Sequence, residues 1–134
     1  MDQDMYDKGL EIRKSVLGDE YVNRSINSAD DFNRDFQQFV TEYCWGACWG
    51  REALDKQQRS LLNLAMLASL GRWEEFELHF VGALNNGCSL NQIRDTLFQV
   101  GVYAGIPCAV SAFKISRRIL KERETQTAGA RSEA

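Results

Sequence analysis

Proline and histidine are nearly absent from this chain, which has one of each among its 134 residues. Because proline is so rare and apolar residues do not alternate regularly with polar ones, the sequence favours helices over sheet. Hydrophobic residues make up 44% of the chain, enough for a substantial core. We therefore expect an all-α protein with a single compact domain over residues 1–122.

Strong charge of either sign is also missing. The 19 acidic and 16 basic residues give a formal net charge of −3, and no basic block is interleaved with aromatic residues. The footprint of a nucleic-acid-binding protein is therefore absent from the sequence. The first residues lack the pattern of a signal peptide, and no apolar run is long enough to span a bilayer. We expect a cytoplasmic protein with neither nucleic-acid nor membrane partners.

The sequence shows no set of residues with the spacing of a metal site. The four cysteines, Cys44, Cys48, Cys88 and Cys108, do not have zinc-site spacing, and reduced thiols are expected in a chain without an export signal. Three residues separate Cys44 from Cys48, against two in the thioredoxin-type motif, so a pair of buried thiols is favoured over a redox pair. We predict no metal ion, and most cysteines in the core.

Periodicity and capping signals predict about six helices. The first covers about residues 4–17, and Gly18 follows where a left-handed C-terminal cap is expected. A capping-box pattern at residues 28–31 predicts the start of the second helix. The apolar side chains of this second helix repeat at helical spacing and are therefore assigned to the core. They are Phe32, Phe36, Phe39, Val40 and Tyr43.

The central helices have clear boundaries in the sequence. Asp55 is expected to cap the third helix, which ends at Gly71. The fourth helix contains His79 and stops at residues 85–87. A second capping-box pattern, at residues 89–92, predicts the start of the fifth helix.

The last part of the chain is divided by Gly105 and Pro107, which interrupt the helical pattern. Pro107 is suited to the first turn of a final helix that reaches about residue 120. Residues 123–134 are polar and small, so we expect a disordered tail there.

Two segments carry more apolar surface than a small helical monomer easily hides. The third helix is apolar on nearly every side except at Asn63 and Ser69, and residues 97–113 hold few charges. Burial against further copies of the chain is the simplest solution. We predict a homo-oligomer with residues 97–113 at or near the subunit contacts.

His79 is the obvious candidate for proton transfer, because histidine can both give and take a proton near neutral pH. On a helix it shares a stripe with Glu75, one turn earlier, and with Gly82. A carboxylate could therefore orient the imidazole, and a missing side chain could leave room beside it. A solvated histidine on a helix flank is the alternative.

Three aromatic residues and one arginine are candidates for a substrate pocket. Trp45 and Trp49 lie one helical turn apart, and Tyr103 lies beside a glycine break. These rings could wall an apolar pocket with a phenol at its edge, with core packing as the alternative for the tryptophans. Arg59, in a strongly apolar helix, requires a carboxylate partner, which either the protein or a substrate supplies.

Five segments of the chain, in their order and approximate spacing, are typical of one family. They are residues 6–18 (YDKGLEIRKSVLG), 43–49 (YCWGACW), 54–62 (LDKQQRSLL), the helix of residues 78–79 with 83–87 (ALNNG), and 103–107 (YAGIP). On these segments the chain resembles the γ-carboxymuconolactone decarboxylase family over nearly its whole length. The resemblance implies a fold like that of the alkylhydroperoxidase D group, a ring-like homo-oligomer, often a hexamer, and no metal or organic cofactor.

The same resemblance implies an activity and a set of site residues. It implies cofactor-independent decarboxylation of a small carboxylated lactone or a related enol or keto acid. His79 matches the family's active-site histidine and would deliver the proton, with Glu75 as a possible orienting group. The substrate-binding candidates are Trp45, Trp49, Arg59 and Tyr103.

The chain departs from the family pattern at two positions. Ala47 stands where the decarboxylases commonly carry a glutamate, and Val81 stands where they commonly carry an arginine. Both departures remove charge, so we expect a less charged lactone, enol or polyketide-like acid as the substrate. Two other functions stay open, namely a cofactor-free isomerase or cyclase of the same fold and a catalytically silent ligand-binding oligomer. The Cys-x-x-Cys pair of the superfamily's redox branch is not reproduced.

Overall fold

The structure, a computed structural model, is all-helical over residues 1–133, and side chains are described through residue 129. The all-α fold class is therefore confirmed. Seven α-helices and one π-helix follow one another in these residues. They are α1 (Gln3–Leu17), α2 (Asp19–Asn27), α3 (Arg34–Phe39), the π-helix (Val40–Cys48), α4 (Lys56–Leu70), α5 (Trp73–Asn85), α6 (Leu90–Tyr103) and α7 (Ile106–Glu133).

The chain forms two compact units, each built from two parts of the sequence. Unit 1 comprises Met1–Ser60 with Val81–Cys88, and unit 2 comprises Leu61–Phe80 with the chain from Ser89 onward. Helices α4 and α5 therefore each contribute residues to both units. Among the described residues, no helix combines the length and the apolar character needed to cross a membrane.

Each unit has its own buried apolar residues. Those of unit 1 are Val16, Leu17, Val22, Trp45, Trp49, Ala83 and Cys88. Those of unit 2 are Leu64, Ala68, Phe76, Phe80, Ile93, Leu97, Val100, Ala109, Ala112 and Ile119. Fully burying one large apolar side chain contributes about 1.5–3 kcal/mol, so these two sets supply most of the driving force for folding.

The predicted cap at Asp55 and the predicted capping box at residues 89–92 are confirmed. Asp55 accepts a hydrogen bond from the Gln58 backbone N–H at 2.8 Å, and the Gln58 side chain accepts one from the Asp55 N–H at 2.9 Å. Ser89 and Gln92 make the same reciprocal pair at the start of α6. Gly71, with φ +70°, follows α4 where a stop was predicted.

The start of the second predicted helix is wrong. The structure has an unpredicted helix, α2, and Ser28 lies just after its last residue, where its hydroxyl donates to the Ser25 carbonyl. Asp30 is the residue that organises the turn: its carboxylate accepts from the backbone N–H groups of Phe32 and Asn33. The side chain of Asn33 in turn accepts from the Asp30 N–H at 2.8 Å. The helix therefore begins with Asn33 as its N-terminal cap, and not with Ser28 as predicted.

The core assignment of the second helix is also wrong for the single chain. Phe32, Phe36, Phe39 and Tyr43 are 97%, 63%, 57% and 55% exposed. The six-residue helix α3 buries no residue, and the helix that follows it is a π-helix with hydrogen bonds from i to i+5. Phe32 lies in the turn before α3, and the longer turn of the π-helix changes the 3.6-residue period only from Val40 onward, where it affects Tyr43. The residues it buries are Thr41, Glu42, Trp45 and Gly46.

Helix α1 packs closely on the π-helix within unit 1. A Cβ at Gly9 would overlap the carbonyl oxygen of Thr41, and one at Gly46 would overlap that of Met5. The buried Arg13 donates from Nη1 to Gln37 at 3.1 Å and to Thr41 at 3.0 Å. These contacts hold the π-helix, and with it both tryptophans, against α1.

Helix α7 replaces most of the tail that was expected to be disordered. It continues to Glu133, so the described part of residues 123–134 is helical, and Ala134 lies outside the described residues. No proline follows Pro107, and an Arg118–Glu122 pair at 3.3 Å supports the helix one turn apart. The sequence therefore lacked a stop signal where we expected fraying.

The cysteines also differ from expectation. All four are free thiols, but Cys44 and Cys48 are exposed, Cys108 is half-buried, and Cys88 alone is fully buried. The predicted pair of buried thiols is therefore wrong. The π-helix turns its glycine and tryptophan inward and leaves these two cysteines on the outside.

Candidate active site

His79 lies on α5 in unit 2, beside two phenylalanines that anchor the helix. Phe76 and Phe80 are fully buried, with ring centroids 6.3 Å apart. His79 lies between these two residues in the sequence, and its imidazole is partly buried. Its Nδ1 lies 3.4 Å from Nδ2 of Asn63 on α4. The alternative of a fully solvated histidine is therefore wrong.

The environment of His79 favours its neutral form. Burial lowers the pKa of His79 to about 4, because the imidazolium loses hydration, and the opposing attraction of Glu75 is smaller. In the protein without substrate, the imidazole is therefore neutral at pH 7.

Glu75 acts on His79 through its charge. Its carboxylate accepts a hydrogen bond from Arg72 at 3.1 Å. The pKa of Glu75 is lowered by a hydrogen bond to its own backbone N–H and then by Arg72, so the carboxylate is ionised at neutral pH. Direct orientation of the imidazole by Glu75 stays a prediction.

Asn63 is the site residue that sequence reasoning missed. It was noted only as a polar interruption of an apolar helix, whereas the structure places its amide at the imidazole. Gly82 does not leave space as expected, because a Cβ there would lie 3.0 Å from Cγ1 of the buried Val16. The signal in the sequence was Asn63 itself, a polar residue in an otherwise apolar helix. The helical period could not show that its partner is His79, 16 residues further along the chain.

Trp45 and Trp49 form a buried stacked pair in unit 1. They are 4% and 6% exposed, and their ring centroids lie 4.9 Å apart at an interplanar angle of 29°. The π-helix positions Trp45 and ends immediately before Trp49. This arrangement suits core packing and also an apolar wall that excludes water.

Arg59 lies on α4 in unit 1 and carries an unused donor. Its Nη2 donates to the Arg51 carbonyl at 3.1 Å, and its Nη1 lies 3.8 Å from Sγ of Cys48. Its Nε is buried and has no hydrogen-bond partner among the described residues. None of the ion pairs within the described side chains involves Arg59. Its partners in unit 1 are thus a carbonyl and a sulfur, not a carboxylate.

Tyr103 is the site candidate that the structure leaves on the surface. It is the last residue of α6 and is 84% exposed in the single chain. The structure thus brings His79, Glu75 and Asn63 together in unit 2. In unit 1, Arg59 contacts the π-helix that positions the tryptophan pair.

The remaining chemistry of the described residues favours neither a metal nor a reactive thiol. They contain no group of three or more histidine, cysteine or acidic side chains able to share a metal ion. Desolvation and the neighbouring Cys48 raise the pKa of the Cys44 thiol, which opposes thiolate formation. Ala47 and Val81, the two apolar departures from the family pattern, are both half-buried in unit 1.

Comparison with known proteins assigns the chain to a family. The sequence profile of the carboxymuconolactone decarboxylase family matches residues 34–118. The chain is 36% identical over 121 residues to a 4-carboxymuconolactone decarboxylase of Acinetobacter baylyi, covering 90% of each protein. The chain belongs to the carboxymuconolactone decarboxylase family. The matched segment contains all the candidates, which are Trp45, Trp49, Arg59, Asn63, Glu75, His79 and Tyr103.

Two further known proteins are similar to this chain. A nitrosuccinic acid decarboxylase of Metarhizium robertsii is 37% identical over 118 residues, which cover 88% of this chain and 82% of that protein. A 4-carboxymuconolactone decarboxylase sequence of Pseudomonas putida is 42% identical over 41 residues, covering 31% of this chain and 85% of that sequence. Both proteins are named as decarboxylases, but the substrates in their names differ.

Proposed function

We propose that this chain is a cofactor-independent decarboxylase of a carboxylated lactone or a related enol or keto acid, with His79 as the proton donor. The observation that carries the proposal is the desolvated imidazole of His79. His79 is the single histidine of the chain and lies in residues 34–118, which match the family. Two relatives aligned over most of their length are named as decarboxylases, which supports a carboxy-lyase reaction.

The proposed reaction needs no electron sink from the protein. Breaking the bond to the carboxylate carbon releases CO₂ and leaves an electron pair on the adjacent carbon. A conjugated carbonyl of the substrate takes up this pair as an enolate. The pair then returns to form a C–H bond with a proton from His79, so each turnover consumes one proton.

The low pKa of His79 links proton uptake to substrate binding. A neutral imidazole is a weak acid, whereas the imidazolium is a strong enough acid to protonate an enolate. A bound carboxylate would bring a negative charge near the ring and raise the pKa of His79 from about 4. An anionic substrate and a proton are therefore expected to bind together.

Arg59 is the proposed carboxylate-recognition residue. Its buried Nε lacks a partner among the described residues, and an unused guanidinium N–H in low dielectric is well suited to a carboxylate. Trp45 and Trp49 are proposed to exclude water, which strengthens such an interaction. Tyr103 stays a candidate for enolate contact that would have to be covered by another copy of the chain.

Carbon dioxide release from a substrate panel tests the proposal. The panel contains 4-carboxymuconolactone, nitrosuccinic acid and less charged carboxylated lactones and keto acids. We expect CO₂ release from at least one compound, with the less charged acids preferred because Ala47 and Val81 carry no charge. Conversion of a panel compound without CO₂ release would instead establish an isomerase or cyclase. Ligand binding without turnover across the panel would support a catalytically silent oligomer.

A further inference from the structure

Helices α6 and α7 of unit 2 line an apolar groove that is open at the surface. Two adjoining cavities, of about 450 Å³ and 260 Å³, share Leu97, Phe113 and Arg117 in their linings. Large apolar side chains in the larger cavity remain in contact with water, since Phe98 is 60% and Val110 59% exposed. Exposed apolar surface of this kind is typical of a site that a partner covers.

The rim of this α6–α7 groove is positively charged. Arg94, Lys114 and Arg117 line the two cavities, and all three are exposed. No acidic residue lines either cavity, and the ion pairs found among the described side chains involve none of these three cations. Two such grooves placed face to face would bring like charges together, which costs free energy. The groove is therefore suited to a surface that is both apolar and acidic.

Unit 1 of the same chain carries a surface of that kind, which we call the aromatic ridge. Two of its phenylalanines lie about one turn apart on α3, and the third lies in the turn before this helix. Acidic side chains outnumber basic ones here, because Arg34 is the one cation and pairs with Asp31. The ridge consists of the exposed residues Phe32, Phe36 and Phe39 with the exposed carboxylates Asp30, Asp31 and Asp35.

We propose that the aromatic ridge of one copy of this chain docks in the α6–α7 groove of a second copy. The rings would cover the apolar floor, and the carboxylates would face the three cations of the rim. The other exposed apolar strip, formed by Leu62, Met66 and Leu70, lies on a helix without an acidic residue and cannot match the charge of the groove. The docking thus pairs residues 97–113, expected from the sequence at subunit contacts, with a defined surface.

A contact of this type is heterologous, because it joins different surfaces of the two copies. Each copy that uses its ridge still has a free groove, so the contacts repeat until the assembly closes as a ring. A copy with a disabled ridge and a copy with a disabled groove can still make one contact with each other. This property separates the proposed contact from one that joins two identical surfaces.

Two variants disable one surface each. Phe32→Ser/Phe36→Ser, the ridge variant, removes apolar contact area, and Val110→Glu, the groove variant, places a carboxylate where the acidic ridge would dock. All the replaced side chains are exposed in the single chain, so circular dichroism should show unchanged helix content. Asn23→Glu is the control, because it adds the same charge at an exposed position of α2 outside both surfaces.

Light scattering at micromolar concentration measures the size of each species. We expect the ridge variant and the groove variant each to be smaller than the wild type, and Asn23→Glu to match the wild type. An equimolar mixture of the ridge and groove variants should form a complex larger than either variant alone. A monomeric wild type, wild-type size in either disabled variant, or no complex in the mixture would overturn the proposal.

The same mixed complex measures the contribution of the rim charges. Lys114→Glu/Arg117→Glu, added to the ridge variant, changes the groove that the complex uses and should raise its Kd by roughly tenfold or more. The same two substitutions added to the groove variant change a groove that is already disabled, and should leave the Kd unchanged. Equal effects in the two partners, or none in the ridge variant, would overturn the charge pairing.

A photo-crosslink tests the contact without disabling it. The photoreactive analogue p-benzoylphenylalanine replaces Phe36 in a mixture of ¹⁴N-labelled and ¹⁵N-labelled chains, and mass spectrometry identifies the joined peptides. We expect crosslinks to peptides within residues 94–117, including pairs that combine the two isotopes and so come from different copies. Crosslinks to other segments, or within single chains alone, would overturn the proposal. A co-purified small acid that fills the groove of a monomer, detected by native mass spectrometry, would do the same.

Discussion

Burial of a neutral imidazole at His79 couples the stability of the protein to pH. Its pKa of about 4 in the folded state lies below the ordinary 6.5, so the unfolded chain binds this proton more readily. The stabilising contribution is therefore complete above pH 6.5 and is lost as the pH falls to 4. The wild type should lose up to roughly 3 kcal/mol relative to His79→Gln over this window. Urea unfolding of both proteins at a series of pH values measures the difference, and parallel curves would contradict it.

Removal of the His79 side chain should affect activity far more than structure. His79→Ala is expected to lower kcat by roughly 10² to 10⁴, the usual range for loss of a general acid or base. The anchoring face of α5 through Phe76 and Phe80 does not depend on the imidazole, so helix content by circular dichroism should be unchanged. A folded variant with full activity on the native substrate would end the proton-donor proposal.

The pH profile of the reaction should report the low pKa of His79. If the imidazolium is the acid, kcat/KM, which reflects the free enzyme, should fall about tenfold per pH unit above pH 4. The decline of kcat should begin at higher pH, because bound carboxylate raises the pKa. Glu75→Gln removes an attraction that raises this pKa and should shift both profiles to lower pH. Glu74→Gln, an exposed neighbour on α5, is the control and should shift neither. A rate independent of pH between about 5 and 8 would contradict this acid.

At the scale of elements, the π-helix depends on glycines that allow α1 to approach it. Gly9→Ala should destabilise the protein by about 1–3 kcal/mol, because the added Cβ overlaps the backbone of Thr41. Gly129→Ala is the matched control, since a Cβ there meets no atom within 4 Å and alanine favours the helix by about 1 kcal/mol. Denaturant unfolding should rank the two variants on opposite sides of the wild type. Equal stability of Gly9→Ala and the wild type would show that α1 can shift away at little cost.

The cysteines of the π-helix are expected to be dispensable for turnover. Cys44 and Cys48 are exposed, and the pKa of the Cys44 thiol is raised, so neither residue resembles an activated nucleophile. A Cys44→Ser/Cys48→Ser double variant should keep its rate within about an order of magnitude, and chelators should leave the wild-type rate unchanged. Abolished turnover in a folded double variant would favour thiol chemistry instead.

At the scale of the whole molecule, apolar residues exposed on the single chain favour self-association. Within residues 97–113, Val102, Ile106 and Val110 are 77%, 65% and 59% exposed. We expect a homo-oligomer, such as the hexamer that the family resemblance implies, that covers this segment. Light scattering should detect it at micromolar concentration, and Val102→Glu should shift it toward smaller species, whereas Gln3→Lys on α1 should not. A stable wild-type monomer at that concentration would contradict the assembly.

Local sequence determined the features whose hydrogen bonds join residues a few positions apart. The capping boxes of Asp55 and Ser89 close over three residues, and Gly71 adopts its positive φ because no side chain opposes it. These signals set the start of α4 and of α6 and the stop after α4. The helical period likewise placed His79 beside the anchoring face of α5. The resemblance to the family added the prediction that His79 is an active-site residue.

Tertiary structure decided what depends on residues far apart in the chain. The π-helix packs against α1 through Gly9, which is over thirty residues away, and it leaves exposed Tyr43, which the 3.6-residue period had placed in the core. The pKa of His79 depends on desolvation, and the contact of its imidazole with Asn63 joins two helices. The sequence by itself therefore determined the all-helical class and several helix boundaries and proposed His79 as the proton donor, whereas the fold decided the charge of His79 and its contact with Asn63, because burial and long-range contacts arise only when the helices pack.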